Sequence, residues 1–160
     1  MFWRNRNFVI RDIYGKYLYS NIARNLKEVV ESAVRKRIDL SNAYLEYANL
    51  NGADLRGASL AGAYLCDSRL RGAKLEGAFL DYADLRQADL SGAKASSCSF
   101  MHANLYRADF SYADIRFADF YEATLTGSRF FHTKVSGAAI TTEQIKTLCI
   151  YSEIDFRDVA

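Results

Sequence analysis

Ala48-Asn49-Leu50-Asn51-Gly52-Ala53-Asp54-Leu55-Arg56-Gly57 decides the fold. Each half places an alanine two residues before a leucine, and the spacing continues on both sides without a slip of frame. From Leu40 to Ile140, 21 positions stand five residues apart, and only Ala95 among them is not a large apolar residue. A small residue, usually alanine, stands two places before each one after Leu40, from Ala43 and Ala48 through to Ala138. A period of five fits neither an α-helix nor a flat strand. Alternation survives inside each unit: the large residue, position i, and the small one at i−2 face the same side. The other three residues turn a corner and face water. A unit this small cannot bury its own apolar face, so an unbroken series predicts stacking into a solenoid.

The unit resembles the A-(D/N)-L-x-x motif of the pentapeptide-repeat family, and the resemblance covers Ile38 to Ile140. It implies a right-handed quadrilateral β-helix, an all-β solenoid with four units per coil. The sequence favours twenty residues per coil on its own terms. Phe100 and Phe120 stand twenty apart, as do Phe110 and Phe130, Tyr44 and Tyr64, and Gly52 and Gly72. A coil of fifteen would stack Phe100 on Ile115 and Phe110 on Leu125. About five coils, spaced as neighbouring strands are, make a rod of about 25 Å. Between the two phenylalanine columns runs Leu55, Leu75, Ala95, Ile115, Val135, which shrinks where its neighbours grow. A close-packed interior of fixed cross-section requires that. Ser68, Cys98, Ser128 and Thr133 replace alanine at i−2 and are small enough to fit.

The 160 residues suit one compact domain in three parts: residues 1–37 as N-terminal cap, 38–140 as repeats, 141–160 as C-terminal cap and tail. Open coil edges invite aggregation, so both ends need covers. Phe8-Val9-Ile10, a turn near Tyr14-Gly15-Lys16 and Tyr17-Leu18-Tyr19 predict a hairpin. Asn25 with Glu28 predicts a helix start. Leu26, Val29, Val30, Ala33 and Val34 then give an amphipathic helix ending near Arg37. Thr141 with Gln144, then Ile145, Leu148 and Cys149, predict a short second helix. Ile150, Ile154, Phe156 and Val159 leave an apolar tail, which predicts a homodimer through residues 145–160. The hairpin and Val-rich helix leading straight into repeats are similar to the start of many phage- and prophage-borne family members.

No apolar run approaches a membrane span, the start lacks a secretory signal, and three cysteines at irregular spacing suggest no disulfide framework. A cytoplasmic location is expected. Catalysis needs converging groups, and the pattern supplies none. His102 and His132 fall on opposite walls, about 20 Å or more apart, and read as solvated. Cys66 is expected to point outward without a histidine partner. Asp89 stacks on Asp109 and Asp84 on Asn104, but Asp or Asn at i−1 suits corner hydrogen bonding. No phosphate loop, Rossmann glycine pattern or metal-ligand spacing occurs, so no enzyme, cofactor, metal or small-molecule substrate is expected.

Partners are read from the surface. Phe79, Tyr82, Met101, His102 and Tyr121 are expected outward on one wall, with Tyr44, Tyr47, Tyr64 and Tyr106 on the next. Exposed aromatic and Met patches mark protein contacts, though ladders between coils predict the same residues. Two other partner classes stay open. Residues 1–37 hold nine Lys/Arg against three Asp/Glu, a cap suited to nucleic acid or another anion. The family resemblance also brings DNA mimicry against a topoisomerase. Residues 38–140 hold ten basic and twelve acidic side chains, interleaved, which gives little of the field a DNA mimic needs.

Overall fold

The computed structural model describes residues 5–148. Stacking is visible in the backbone. Parallel bridges join residues twenty apart in four columns, which begin Tyr44–Tyr64, Asn49–Arg69, Asp54–Lys74 and Ser59–Phe79 and reach Thr124, Arg129, Lys134 and Ala139. Four columns give a four-sided β-helix. Each wall is named here for a buried residue it carries: the Phe100, Leu105, Phe110 and Ile115 walls.

The corners explain the motif. The amide of Ala48 donates to the Leu45 carbonyl at 3.1 Å, closing a tight turn, and Tyr47 within it has φ of 56°. That left-handed third turn position recurs around the coil. The polar residue at i−1 also serves the corner. The carboxylates of Asp89, Asp109 and Asp119 accept from the amides of Ser91, Ser111 and Tyr121 at 3.0, 2.8 and 2.8 Å. Asp89 and Asp109, though stacked, are each engaged this way rather than forming an acid–base pair.

Inside, the alanines and large residues are buried. Phe100 stacks on Phe120 at 5.0 Å, and Phe110 on Phe130 at 5.1 Å. The two columns meet edge to face, Phe100 with Phe110 at 5.6 Å and Phe110 with Phe120 at 5.8 Å. Edge-to-face contact is a favoured aromatic geometry. It needs room along the adjoining column, and the buried Ala95 leaves that room.

At the N-terminal end, β1 (Arg6–Arg11) and β2 (Tyr17–Ala23) form an antiparallel hairpin. The hairpin extends the Leu105 wall, because Tyr44 donates to the Arg11 carbonyl at 2.8 Å. Helix α1 (Leu26–Arg35) starts at Asn25, whose side chain accepts from the Glu28 amide at 3.0 Å. It stops where Arg37 turns left-handed, with φ of 55°, and Ile38 bonds back to the Ala33 carbonyl. Val29, Val30 and Ala33 join the core. Two polar side chains of α1 reach the coil edge: Lys27 Nζ donates to the Asn51 carbonyl at 2.9 Å, and Glu31 accepts from the Asp54 amide.

At the other end, α2 (Thr142–Lys146) begins with a reciprocal capping box between Thr141 and Gln144. Gln144 Nε2 donates to the carbonyls of Phe120 and Ala123 at 2.7 and 2.9 Å, and at Ala123 it replaces the amide another coil would supply, as Thr124 does for Ala103. Ile145 and Leu148 pack on the core. The apolar tail from Ile150 to Val159, and with it most of the expected dimer contact, lies outside the described residues. Among the described residues no helix is long and apolar enough to cross a membrane.

Candidate interaction surface

The Phe100 wall carries the five aromatic and Met positions singled out in the sequence. Phe79 precedes Leu80 and is 53% exposed, Tyr82 at the following corner is 67% exposed, and Tyr121 is 53% exposed. Met101 and His102 are half-buried among them. The rings of Tyr82 and His102 stack at 4.7 Å with planes 6° apart, and His102 meets Tyr121 edge-on at 5.7 Å. Met101, Asp119 and Tyr121 border a shallow groove of about 530 Å³ that runs to Ile140 and Thr141.

His102 departs from the expectation of a solvated histidine. Its Nδ1 lies 3.1 Å from Glu122 Oε2, and Tyr82 covers its face. Tyr82 and Glu122 are its neighbours in the same corner column, one coil before and one coil after. His132 is likewise packed, 5.5 Å from the ring of Tyr112 and 4.1 Å from that of Phe131.

Cys66 is a second correction. Expected outward, it is buried, because the longer Glu46 and Arg86 flank it in its column. Its thiol lies 3.2 Å from Asp67 Oδ2, and burial, aided by Asp67, pushes its pKa up to about 11. A neutral thiol of this kind is a poor nucleophile. Ligand atoms of Glu46, Cys66 and Asp67 lie within 4.8 Å of one another, a proximity that sequence spacing did not reveal. The cluster already has partners: Tyr44 donates to Glu46, and Cys66 bonds Asp67.

The aromatic corners share the left-handed backbone of every corner, glycine or not, such as Asp67, Gln87 and Arg107. Tyr82 and His102 have φ of 59° and 58°, and Tyr112, Phe117 and His132 are left-handed as well. Each such non-glycine residue costs about 1–2 kcal/mol. Equivalent corners earlier in the rod are mostly glycine. Phe117, 66% exposed at the other corner of the Phe100 wall, and Tyr112, 63% exposed, were missed in the sequence. The usable signal was an aromatic residue at the corner position two places after the large residue, where its own column begins with glycine (Gly52 and Gly72 before Tyr112, Gly57 and Gly77 before Phe117).

Charge differs among walls. On the Ile115 wall, Arg56 and Arg116 clasp Asp54 and Asp114 at 2.6 and 2.8 Å, and on the Leu105 wall Arg86 clasps Asp84 at 2.6 Å. The guanidinium groups hold the Asp54 and Asp114 carboxyls below their ordinary range. These pairs cancel locally, as the interleaved sequence implied.

No curated protein matches the chain. Among solved structures, similarity extends to a pentapeptide repeat protein of the Arabidopsis thaliana thylakoid lumen, 27% identical over 71% of this chain and 75% of that one, with TM-score 0.47. A pentapeptide repeat protein from Nostoc is 26% identical over 78% of this chain and 93% of its own, with TM-score 0.31. QnrB1, a plasmid-mediated fluoroquinolone resistance protein, is 19% identical over 78% of this chain and 60% of its own, with TM-score 0.41. The family model for pentapeptide repeats matches eight copies over residues 36–72, 68–105, 90–127 and 103–139. That span is the four-sided, twenty-residue coil itself, and the chain belongs to the pentapeptide-repeat family.

Proposed function

We propose that the chain is a non-enzymatic interaction protein whose β-helix presents the Phe100 wall to a protein partner. Phe79, Tyr82, Met101, His102 and Tyr121 form the contact surface, and Phe117 extends it. The observation that carries this is the cluster of exposed rings on one wall: Phe79, Tyr82 and Tyr121 are 53%, 67% and 53% exposed, with His102 packed between the two tyrosines. Glycine would occupy the left-handed corner at residue 82 without strain, so the backbone itself does not call for tyrosine there. Exposed aromatic and Met side chains are the ones enriched at protein interfaces.

Photo-crosslinking tests the proposal. A benzophenone amino acid replaces Phe79 in one variant and Lys74, on the neighbouring wall, in another. Both are irradiated in cell lysate. The expected result is a discrete protein adduct from position 79 and none from position 74. Equal labelling from both positions, or none from 79, would contradict it.

A further inference from the structure

All ten Lys and Arg residues between Leu40 and Ile140 lie on the Leu105, Phe110 and Ile115 walls. The Phe100 wall has none. Its outward positions instead carry acids among the aromatics: Asp81 beside Tyr82, Asp119 beside Tyr121, and Glu122 beside His102. Among the described residues no arginine clasps these three, unlike Asp54, Asp84 and Asp114. Asp81 and Asp119 accept from amides of their own wall, at 3.2 Å from Met101 and 2.8 Å from Tyr121. These amide donors are neutral and bring no positive charge to the wall. Glu122 remains exposed at 58%.

From this we infer the chemistry of the partner: the Phe100 wall fits a basic protein segment whose arginine or lysine side chains lie over the aromatic rings. The faces of Tyr82 and Tyr121 attract a guanidinium or ammonium group. Asp119 and Glu122 neutralise it, and the groove beside Met101 and Tyr121 takes the aliphatic stem. A nucleic acid is repelled by the same three carboxylates. An acidic or wholly apolar segment would bury these carboxylates with no cation from the partner beside them. The inference rests on the proposal that this wall binds a protein, and deepens it.

Fluorescence anisotropy of the full chain with three labelled peptides tests it. The peptides alternate glycine with arginine, glutamate or serine and are equal in length. The arginine peptide is expected to bind at least tenfold more tightly than either other, and less tightly as salt rises. Asp119→Asn with Glu122→Gln, and separately Tyr82→Gly, should each weaken it at least fivefold, while Asp114→Asn on the next wall should not. Failure of the arginine peptide to bind, or binding that those wall variants leave within twofold, overturns the inference. Mapping the adduct from position 79 separates the two levels. A crosslinked segment without basic residues removes the partner chemistry and leaves the wall an interface. No adduct at all removes both.

Discussion

The carboxylate of Glu31 accepts a hydrogen bond at 2.9 Å from the backbone amide of Asp54, twenty-three residues away. In every later coil the amide at that position donates to a carbonyl in the coil before, as Lys74 does to Ala53 and Lys94 to Ala73. The first coil has none before it, and a helix side chain stands in. One turn earlier, Lys27 supplies a donor to the same edge. The N-terminal cap therefore covers an open coil edge by pairing its backbone groups as well as by burying apolar surface.

Glu31→Ala should remove that acceptor from a part-buried amide and cost about 1–2 kcal/mol. The melting temperature should fall by roughly 3–8 °C for a chain of this size. Glu31→Gln keeps a carbonyl oxygen and should lose less than half as much. Thermal denaturation followed by circular dichroism measures both. Equal losses would mean that charge, not the edge bond, matters.

Phe117 and Gly137 should be coupled. A Cβ built on Gly137 would meet Phe117 Cδ1 at 2.6 Å, whereas one on Gly77 meets nothing within 4 Å. Both glycines are left-handed, with φ of 69° and 66°. Gly77→Ala should cost only backbone strain, about 1–2 kcal/mol. Gly137→Ala should cost more, and Phe117→Ser should recover the excess. Denaturant titration of the single and double variants reads this coupling, and additive effects would refute the contact.

Ala73→Leu should be far more damaging than Lys74→Ala. Ala73 is fully buried against the packed axis, and overpacking there costs about 1–3 kcal/mol or more. Lys74 faces water, where changes stay within about 0.5 kcal/mol. Similar melting shifts for the two would overturn the inward and outward assignment of the whole repeat.

Acid should destabilise the rod. The Ser41 hydrogen bonds lower the Asp39 pKa, and Arg56 and Arg116 do the same for Asp54 and Asp114, each from an ordinary value of 3.8. A lowered folded-state pKa means these carboxylates stabilise the fold fully above the ordinary value. That stabilisation is lost as pH falls through the lower folded values. Melting temperatures should therefore fall below about pH 4, and less steeply in Asp54→Asn with Asp114→Asn. A pH profile unchanged by those two substitutions would remove the ion pairs from the account.

The five-residue frame made the architecture legible. A large residue at i and a small one at i−2 settle which atoms are inside, and Phe100 over Phe120 settles the coil length. Asn25 and Thr141 marked both helix starts because capping is local chemistry. What the frame could not show was how outward side chains settle against each other. Cys66 sits at an outward position, yet Glu46 and Arg86 bury it. His102 sits at a corner, yet Tyr82 and Glu122 enclose it. Both outcomes depend on neighbours twenty residues away in sequence. Phe117 and Tyr112 escaped notice because they stand at corners between walls, and their exposure depends on how the adjoining coils pack.

The central claim is that the aromatic corners serve binding rather than stacking. Tyr82→Gly combined with Tyr121→Ser tests it most directly, with affinity for the protein crosslinked from position 79 measured beside circular dichroism and melting. Glycine relieves the left-handed strain at residue 82, so the account predicts an unchanged β-rich spectrum, a melting temperature within about 5 °C, and at least tenfold weaker binding. Unchanged affinity, or a melting temperature lower by more than about 10 °C, would contradict it and assign Tyr82 and Tyr121 to holding the coils together.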